Sequence, residues 1–528
     1  MCGIYAYRGN SIQWSELKEE SDKIKYRGPD NSNVIMVDGN TIFAFHRLSI
    51  MGTTASGNQP LVHPEDSALT LICNGEIYNY KALATAHGFN LRTGSDCEII
   101  LHLYKSYGIE KTIKELDGVF MFVLHDHNKD ELYAGRDPFG VRPGFIGTKG
   151  KETFIASEAK PLINTCDKVV PFKPGHWWQE RTGELTRYHF HKVETLSKAS
   201  ESELLEGIRT RLEDAVKKRM MAEREIGTLL SGGLDSSLIS ALVNQYHVGP
   251  PLKTFSIGMP GSIDLEYAQT VATHLGTDHH QIQISEKDFL DAIETVIYNI
   301  ESYDTTTVRA SVGNYLVSKF IRENSNCKVI FNGDGSDEVC GGYLYMRNAP
   351  SPSAFQSECH RLVDEIHRFD VLRSDRSISS NGLEARTPFL DKEFVRYYLS
   401  IPAELKMFGG IKHLEKYLLR QSFEGLNLLP KDVLWRRKCA FSDGVSAKTN
   451  SWHRVLQRFV DSQISDTEFD MKAKTYTHCT PVLKESYYYR KVYESFFGNH
   501  DKLIPHFWVP RWVETDDPSA RELSGYME

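Results

Sequence analysis

The chain has 528 residues, enough for several compact units, with 40% hydrophobic and 25% charged residues, an ordinary globular balance. Its 62 Lys and Arg against 70 Asp and Glu leave a net charge of −8, which argues against nucleic acid or an anionic membrane as the main partner. The nine cysteines form no CxxC pair, so a disulfide framework or zinc site is not expected, and a reducing, cytoplasmic setting is. No run approaches the ~18 apolar residues of a membrane helix, and Arg8, Asn10 and Ser11 interrupt the start, so no signal peptide is read.

Residues 1–190 read as β-rich. Short apolar runs at Val34–Val37, Thr41–Phe45, Leu69–Cys73, Val119–Leu124 and Thr153–Ala156 lie between Gly, Asp and Asn turns, with a helix expected over Ser95–Tyr107. A polar stretch over 191–203 reads as a linker, and 204–528 as a second domain. There the period changes: Leu204, Leu205, Ile208, Leu212, Ala215, Val216 and Met220 recur at helical steps. Strands at Ile226–Leu230, Lys253–Gly258, His280–Ile284 and Lys328–Asn332 alternate with helices at Ser236–Tyr246, Asp264–Leu275 and Val312–Arg322. That alternation predicts a parallel sheet with helices on both faces.

Three places carry chemistry. Cys2 follows Met1, and removal of Met1 would put a thiol and an α-amine titrating at roughly 7.7–8.0 on one residue, a nucleophile beside its own base. In Leu229-Leu230-Ser231-Gly232-Gly233-Leu234-Asp235-Ser236-Ser237 a strand runs into a glycine turn that opens a helix. Backbone N–H groups there can converge on an anion, Ser231, Ser236 and Ser237 offer hydroxyls, and Asp235 could hold Mg²⁺. The third is Asn332-Gly333-Asp334-Gly335-Ser336-Asp337-Glu338, three crowded carboxylates that need a cation or donors, expected at the same sheet edge, and read alone equally as a solvated acidic turn. The run Arg436-Arg437-Lys438 reads either as a solvated face or as a phosphate contact.

Ser-Gly-Gly-x-Asp-Ser resembles the signature of PP-loop ATP pyrophosphatases. Further motifs stand in family order: Arg27-Gly28-Pro29-Asp30, His46-Arg47-Leu48-Ser49-Ile50, Asn74-Gly75-Glu76-Ile77-Tyr78-Asn79, Gly94-Ser95-Asp96, Ser302 to Ser311, Gly382 to Asp391 and Phe441-Ser442-Asp443-Gly444. With them the chain resembles the glutamine-hydrolysing asparagine synthetases over nearly its whole length. The resemblance implies a two-domain α/β protein: an N-terminal Ntn-hydrolase αββα sandwich that hydrolyses glutamine, and a C-terminal parallel α/β PP-loop domain. ATP and Mg²⁺ would serve the second, which turns aspartate into β-aspartyl-AMP and pyrophosphate before ammonia arrives through an internal tunnel. Family members are often homodimers.

By the same resemblance Cys2 attacks the glutamine amide, with Asn74 and Gly75 as the oxyanion hole. Arg47 would hold the α-carboxylate by a fork contact and Asp96 the α-ammonium, with Leu48, Ser49, Ile50, Met51 and Glu76 completing the pocket. Singly, Arg47 with Asp96 could be a surface ion pair, and Asn74-Gly75 a hairpin turn. ATP would lie over Leu230, Ser231, Gly232, Gly233, Asp235 and Ser236, with Ile257, Asn332 and Gly333 alongside. Asp235 and Asp337 are the metal candidates, and Thr306, Arg309 and Lys438 face aspartate or the intermediate. Two departures stand out. Asp334 replaces the Glu of Ser-Gly-Glu-Gly-Ser-Asp-Glu, a shorter arm for a proton-accepting role. Arg142-Pro143-Gly144-Phe145 replaces a Pro-Leu-Tyr ending, with local packing consequences expected. The alternatives are a β-lactam-forming synthetase, a non-catalytic glutamine or nucleotide sensor, and a tRNA-modifying PP-loop enzyme.

Overall fold

A computed structural model describes residues 1–190, 193–409, 414–438, 444–446, 450–515 and 517–518, so Phe441, Ser442 and Asp443 of the last motif lie outside the described residues. Two units form. The first is Met1–Phe190 with Met221–Glu225 and Ile378–Glu384, and the second is His191–Met220, Ile226–Ser377 and Ala385–Glu528.

The first unit holds two six-stranded sheets. One contains β1 (Gly3–Arg8), β2 (Asn31–Met36), β3 (Thr41–Arg47), β8 (Phe145–Lys149), β9 (Glu152–Ala156) and β10 (Lys168–Pro171), in the order β10-β8-β9-β1-β3-β2. The other contains β4 (Leu61–His63), β5 (Asp66–Ile77), β6 (Gly118–Asp126), β7 (Glu131–Arg136), β11 (His176–Gln179) and β12 (Leu185–Arg187), in the order β12-β11-β7-β6-β5-β4. Alternate side chains decide the layering. Ile4, Ala6, Phe43 and Phe45 of the first sheet share a core with Ile72, Met121, Val123 and Ala134 of the second. The opposite face of the second sheet, through Leu71, Phe120, Phe122 and Leu124, packs on Ile99, Ile100 and Leu103 of α3 (Glu98–Glu115). Both faces of β6 are therefore buried, which is why Val119–Leu124 reads as a continuous apolar run. With α1 (Trp14–Asp22) against β1 and α2 (Tyr80–His87) beside α3, the layers run helix, sheet, sheet, helix. The helix expected over Ser95–Tyr107 continues to Glu115, bent at Gly108, whose φ of 75° a residue with a Cβ adopts poorly.

The second unit is built on β13 (Ile226–Leu229), β14 (Lys253–Gly258), β15 (Asp278–Gln283), β16 (Val329–Phe331) and β17 (Glu384–Arg386), in the order β15-β14-β13-β16-β17. The first four strands pair in parallel. Their connections include α5 (Leu234–Tyr246), α6 (Ile263–Leu275) and the helix Thr305–Asn324. Because β13 and β16 are parallel neighbours, the loops leaving them emerge at one sheet edge. The helix α4 (Glu201–Arg219) begins inside the stretch read as linker. Ser200 and Glu203 form a reciprocal capping box that satisfies its first N–H groups.

Candidate active sites

Cys2 precedes β1 and is fixed from both sides. Its carbonyl accepts from Arg27 Nε at 3.0 Å, and the buried Arg27 is itself held by Glu158 at 2.6 Å and Ser379 Oγ at 2.9 Å. Its backbone N–H donates to Asn74 Oδ1 at 2.9 Å, while its Sγ faces Leu48 O at 3.7 Å. The Cys2 N–H settles which way the Asn74 amide points, and Asn74 Nδ2 is left buried with no hydrogen-bond partner. A desolvated donor of this kind costs ~1–3 kcal/mol until something accepts from it. An oxygen that gains negative charge beside the thiol is an acceptor such a donor suits. Asn74→Ala is expected to lower glutamine hydrolysis by about 10²–10³-fold, measured as glutamate release. A loss below tenfold would assign the orphaned amide a packing role only.

Asn74 and Gly75 lie within β5, opposite Met121 and Phe120, so the hairpin-turn alternative is excluded. A Cβ on Gly75 would sit 2.2 Å from Val119 O, so close strand approach demands glycine there. Burial pushes the Cys2 thiol up to about 11, against the pull of the terminal amine and the Leu48 contact. It also pushes the Met1 amine down to about 6, despite Glu384 nearby.

Arg47 departs from expectation. Its Nη1 donates to Thr54 O at 3.0 Å and Asn58 Oδ1 at 2.6 Å, and its Nη2 to Met51 O at 3.2 Å and to Gly52 O. Those acceptors engage all four terminal N–H groups, so no open fork faces a carboxylate, and the residue braces the 51–58 loop instead. Gly57 makes room for it, since a Cβ there would meet Arg47 Nη2 at 2.5 Å. Glu223 braces the same loop from outside, accepting from Gly52 N at 3.2 Å and Thr53 N at 3.1 Å. Ser49 N donates to Asp30 Oδ2 at 2.8 Å, and Ile50 O accepts from Glu223 N at 3.0 Å. The buried Asp96 accepts from Ile77 N at 2.6 Å, which fixes the end of β5 beside Glu76, and neither is a surface group.

In the second unit a cavity of about 300 Å³ opens at the shared edge of β13, β14 and β16. Leu230, Ser231, Gly233, Asp235 and Ser236 line one wall, with Ile257, Asn332 and Gly333 adjoining. Gly232 does not line it: its φ of +72° makes the turn, and a Cβ there would strike Ala268 N at 2.5 Å. The side chain of Asn332 is also turned aside, donating to Ser374 Oγ at 2.6 Å. Gly333 lets the two loops touch, because a Cβ would lie 2.9 Å from Ser236 N. The N-cap of α5 is Gly233, with no side-chain cap, so the first N–H groups of the helix are not capped by a side chain. That is an anion seat.

Opposite lie the charges. Lys416 Nζ sits 2.6 Å from both Asp235 Oδ2 and Asp337 Oδ1, and Lys438 Nζ contacts Asp337 as well. Burial would raise the Asp337 carboxyl, but Lys416 and Lys438 hold it well below the usual carboxylate range. Arg436, paired with Asp264 at 2.7 Å, lines the cavity with Arg437 and Lys438, so the basic run is not a solvated face. Thr306 lines the cavity with its Oγ1 buried and unpartnered. Arg309 does so too, with Nε and Nη2 both donating to Glu485 at 2.7 Å. Burial raises the Asp334 carboxyl, Arg373 at 3.4 Å opposes that rise, and Asp370 adds to it.

The family profile of the glutamine amidotransferase domain matches residues 1–203, and that of asparagine synthase matches 207–354 and 347–516. The glutamine-hydrolyzing asparagine synthetase of Gallus gallus is 44% identical over 566 aligned residues, spanning 100% of this chain and 99% of its own. Those of Cricetulus griseus and Homo sapiens are each 43% identical, again over 100% of this chain and 99% of theirs. The chain belongs to the asparagine synthase family.

Within that family frame, four residues escaped sequence reasoning. Arg27 and Asp30 stand in a motif whose side-chain partners, Cys2 and Ser49, are not sequence neighbours. Glu223 sits just past α4, far from the loop it holds. Lys416 carries no motif signal, because its meaning depends on two carboxylates brought from β13 and β16. Arg142, read as a packing difference, is buried, with its guanidinium 3.5 Å from Glu384.

Proposed function

We propose that the chain makes asparagine from aspartate at the expense of ATP, with nitrogen taken from glutamine. Cys2, once Met1 is removed, attacks the glutamine amide carbon. Its proton passes to the free amine and on to the departing ammonia, and water then releases glutamate from the thioester. Asn74 Nδ2 is the oxyanion donor. In the second unit the α5 N-terminus and the Ser231–Ser236 turn seat the phosphates. The aspartate β-carboxylate attacks the α-phosphate, pyrophosphate leaves, and ammonia displaces AMP from the acyl adenylate. Thr306, with its unpartnered hydroxyl, is the substrate contact, and Arg309 positions the wall. Asp334 is the candidate proton acceptor from the incoming ammonia. Lys438 and Lys416 meet phosphate charge.

Asp235 and Asp337 offer only carboxylate oxygens and already share one cationic neighbour, which fits a hard divalent ion. They would hold Mg²⁺, which would neutralise phosphate charge. The eight described cysteines are free, which supports a cytoplasmic setting. No helix among the described residues is long and apolar enough to cross a membrane.

The observation that carries this reading is the full-length likeness to glutamine-hydrolyzing asparagine synthetases, with Cys2, Asn74, Asp235 and Asp337 all in place. A β-lactam-forming relative or a sensor has no use for that combination. The test is mass spectrometry of products from aspartate, ATP, Mg²⁺ and ¹⁵N-amide glutamine. Labelled asparagine with AMP and pyrophosphate is expected. Glutamate without asparagine would refute the synthetic reading.

A further inference from the structure

At the far end of the first unit, Asp38, His125 and His127 converge. Their ligand atoms all lie within 4.8 Å of one another. Asp38 sits between β2 and β3 of one sheet, whereas His125 is the penultimate residue of β6 in the other and His127 lies just beyond that strand's end. The ring centroids of His125 and His127 stand 6.0 Å apart.

His125 is the informative member. It is fully buried, and neither ring nitrogen makes a hydrogen bond. Yet its Nε2 lies 3.0 Å from Asp38 Oδ2. A nitrogen and an oxygen this close without an aligned proton have the spacing of two ligands on one ion, about 3.3 Å for bonds near 2.0 Å at the tetrahedral angle. His127 Nδ1 lies 3.9 Å from the same Asp38 oxygen, and its side chain is exposed, so a small rotation completes the set.

Asp38 is oriented from its own turn, its Oδ1 accepting from Asn40 N at 3.0 Å, which leaves Oδ2 toward the two histidines. Arg8, the cation whose charge would oppose a metal here, is paired with Asp130 and, at 3.2 Å, with Glu180.

We infer that Asp38, His125 and His127 form a binding site for a borderline divalent transition ion such as Zn²⁺, clipping the two sheets together. Two imidazoles and a carboxylate select Zn²⁺ over Mg²⁺, and a water fills the fourth position. The site stands four residues along β6 from Met121, which pairs with Asn74, or about 13 Å from the nucleophile's neighbourhood. Its role is therefore to stabilise the sandwich and not to take part in glutamine hydrolysis.

The test uses the untagged full chain, stripped with chelator and titrated with Zn²⁺ and with Co²⁺. One Co²⁺ per chain is expected in a nitrogen- and oxygen-ligated spectrum without a sulfur charge-transfer band, which separates this site from the cysteines. Zn²⁺ should raise the melting temperature. His127→Ala, a change at an exposed side chain, should leave metal-free melting unchanged and weaken binding by at least about tenfold, with the thermal shift lost. Asp38→Asn should weaken binding comparably. Binding that is absent in the native chain, undiminished in both variants, or sulfur-ligated would overturn the inference.

Discussion

Cys2→Ala is expected to abolish asparagine formation from glutamine while leaving formation from ammonium salts at its original rate. The two activities draw on different units, and Cys2 lies wholly in the first. The loss should reach the detection limit, because the substitution removes the thiol that would attack the amide. A chain that keeps Met1 should behave likewise. With Met1 present the Cys2 nitrogen is an amide that donates to Asn74 Oδ1 and cannot accept a proton. The thiol near 11 is then protonated at neutral pH, with no adjacent amine on the same residue to receive its proton. Native chain, Cys2→Ala and a chain extended ahead of Met1 can be compared by glutamate release and by asparagine formation from either nitrogen source. Glutaminase activity in the extended chain would sink the amine-as-base reading. Loss of the ammonium-dependent reaction in Cys2→Ala would sink the division of labour.

How far the sequence foretells this molecule depends on how local each signal is. Lys253–Gly258 and Thr153–Ala156 are found within one residue of expectation, since an apolar run between turn residues is a local signal. The capping box at Ser200 and Glu203 is local too, but the polar run around it reads as linker, and so α4 starts earlier than its apolar stripe suggests. The segments 221–225 and 378–384 join the first unit although both lie within the stretch from 204 onward that reads as the second domain. Nothing in their composition announces that, because the pairing is purely tertiary.

At the sites, residue type is legible in the sequence, but the availability of each donor is not. Arg47 is a guanidinium where a fork contact was expected, but four loop oxygens occupy it, and Glu485 likewise takes two donors of Arg309. A donor's free valence is decided by neighbours distant in sequence. Asn74 and Thr306 show the converse: each is a residue named from its motif whose unpartnered buried atom appears only in three dimensions.

Lys416 carries the second large effect. Its ammonium lies between Asp235 and Asp337 and is 2% exposed, so Lys416→Ala leaves two carboxylates facing each other with Lys438 as the remaining named cation. Removing one member of a buried ionic cluster costs about 3–5 kcal/mol, more than replacing the whole cluster by apolar groups would. Pyrophosphate release is expected to fall below detection, because the carboxylates no longer hold their geometry at the phosphate wall. Glutamine hydrolysis should be unaffected. The charge argument makes a further demand that a packing argument does not. A divalent cation can stand in for the missing ammonium, so millimolar Mg²⁺ should recover part of the lost thermal stability in Lys416→Ala and add less to the native chain, as mass action on a folded-state site requires. Lys416→Met, which keeps the stem's packing and removes only the charge, should show the same Mg²⁺ response. If Lys416→Met is as stable as the native chain and indifferent to Mg²⁺, the lysine fills space and the two aspartates do not form one cation site. If Mg²⁺ restores stability without restoring pyrophosphate release, the ammonium itself meets phosphate charge during transfer.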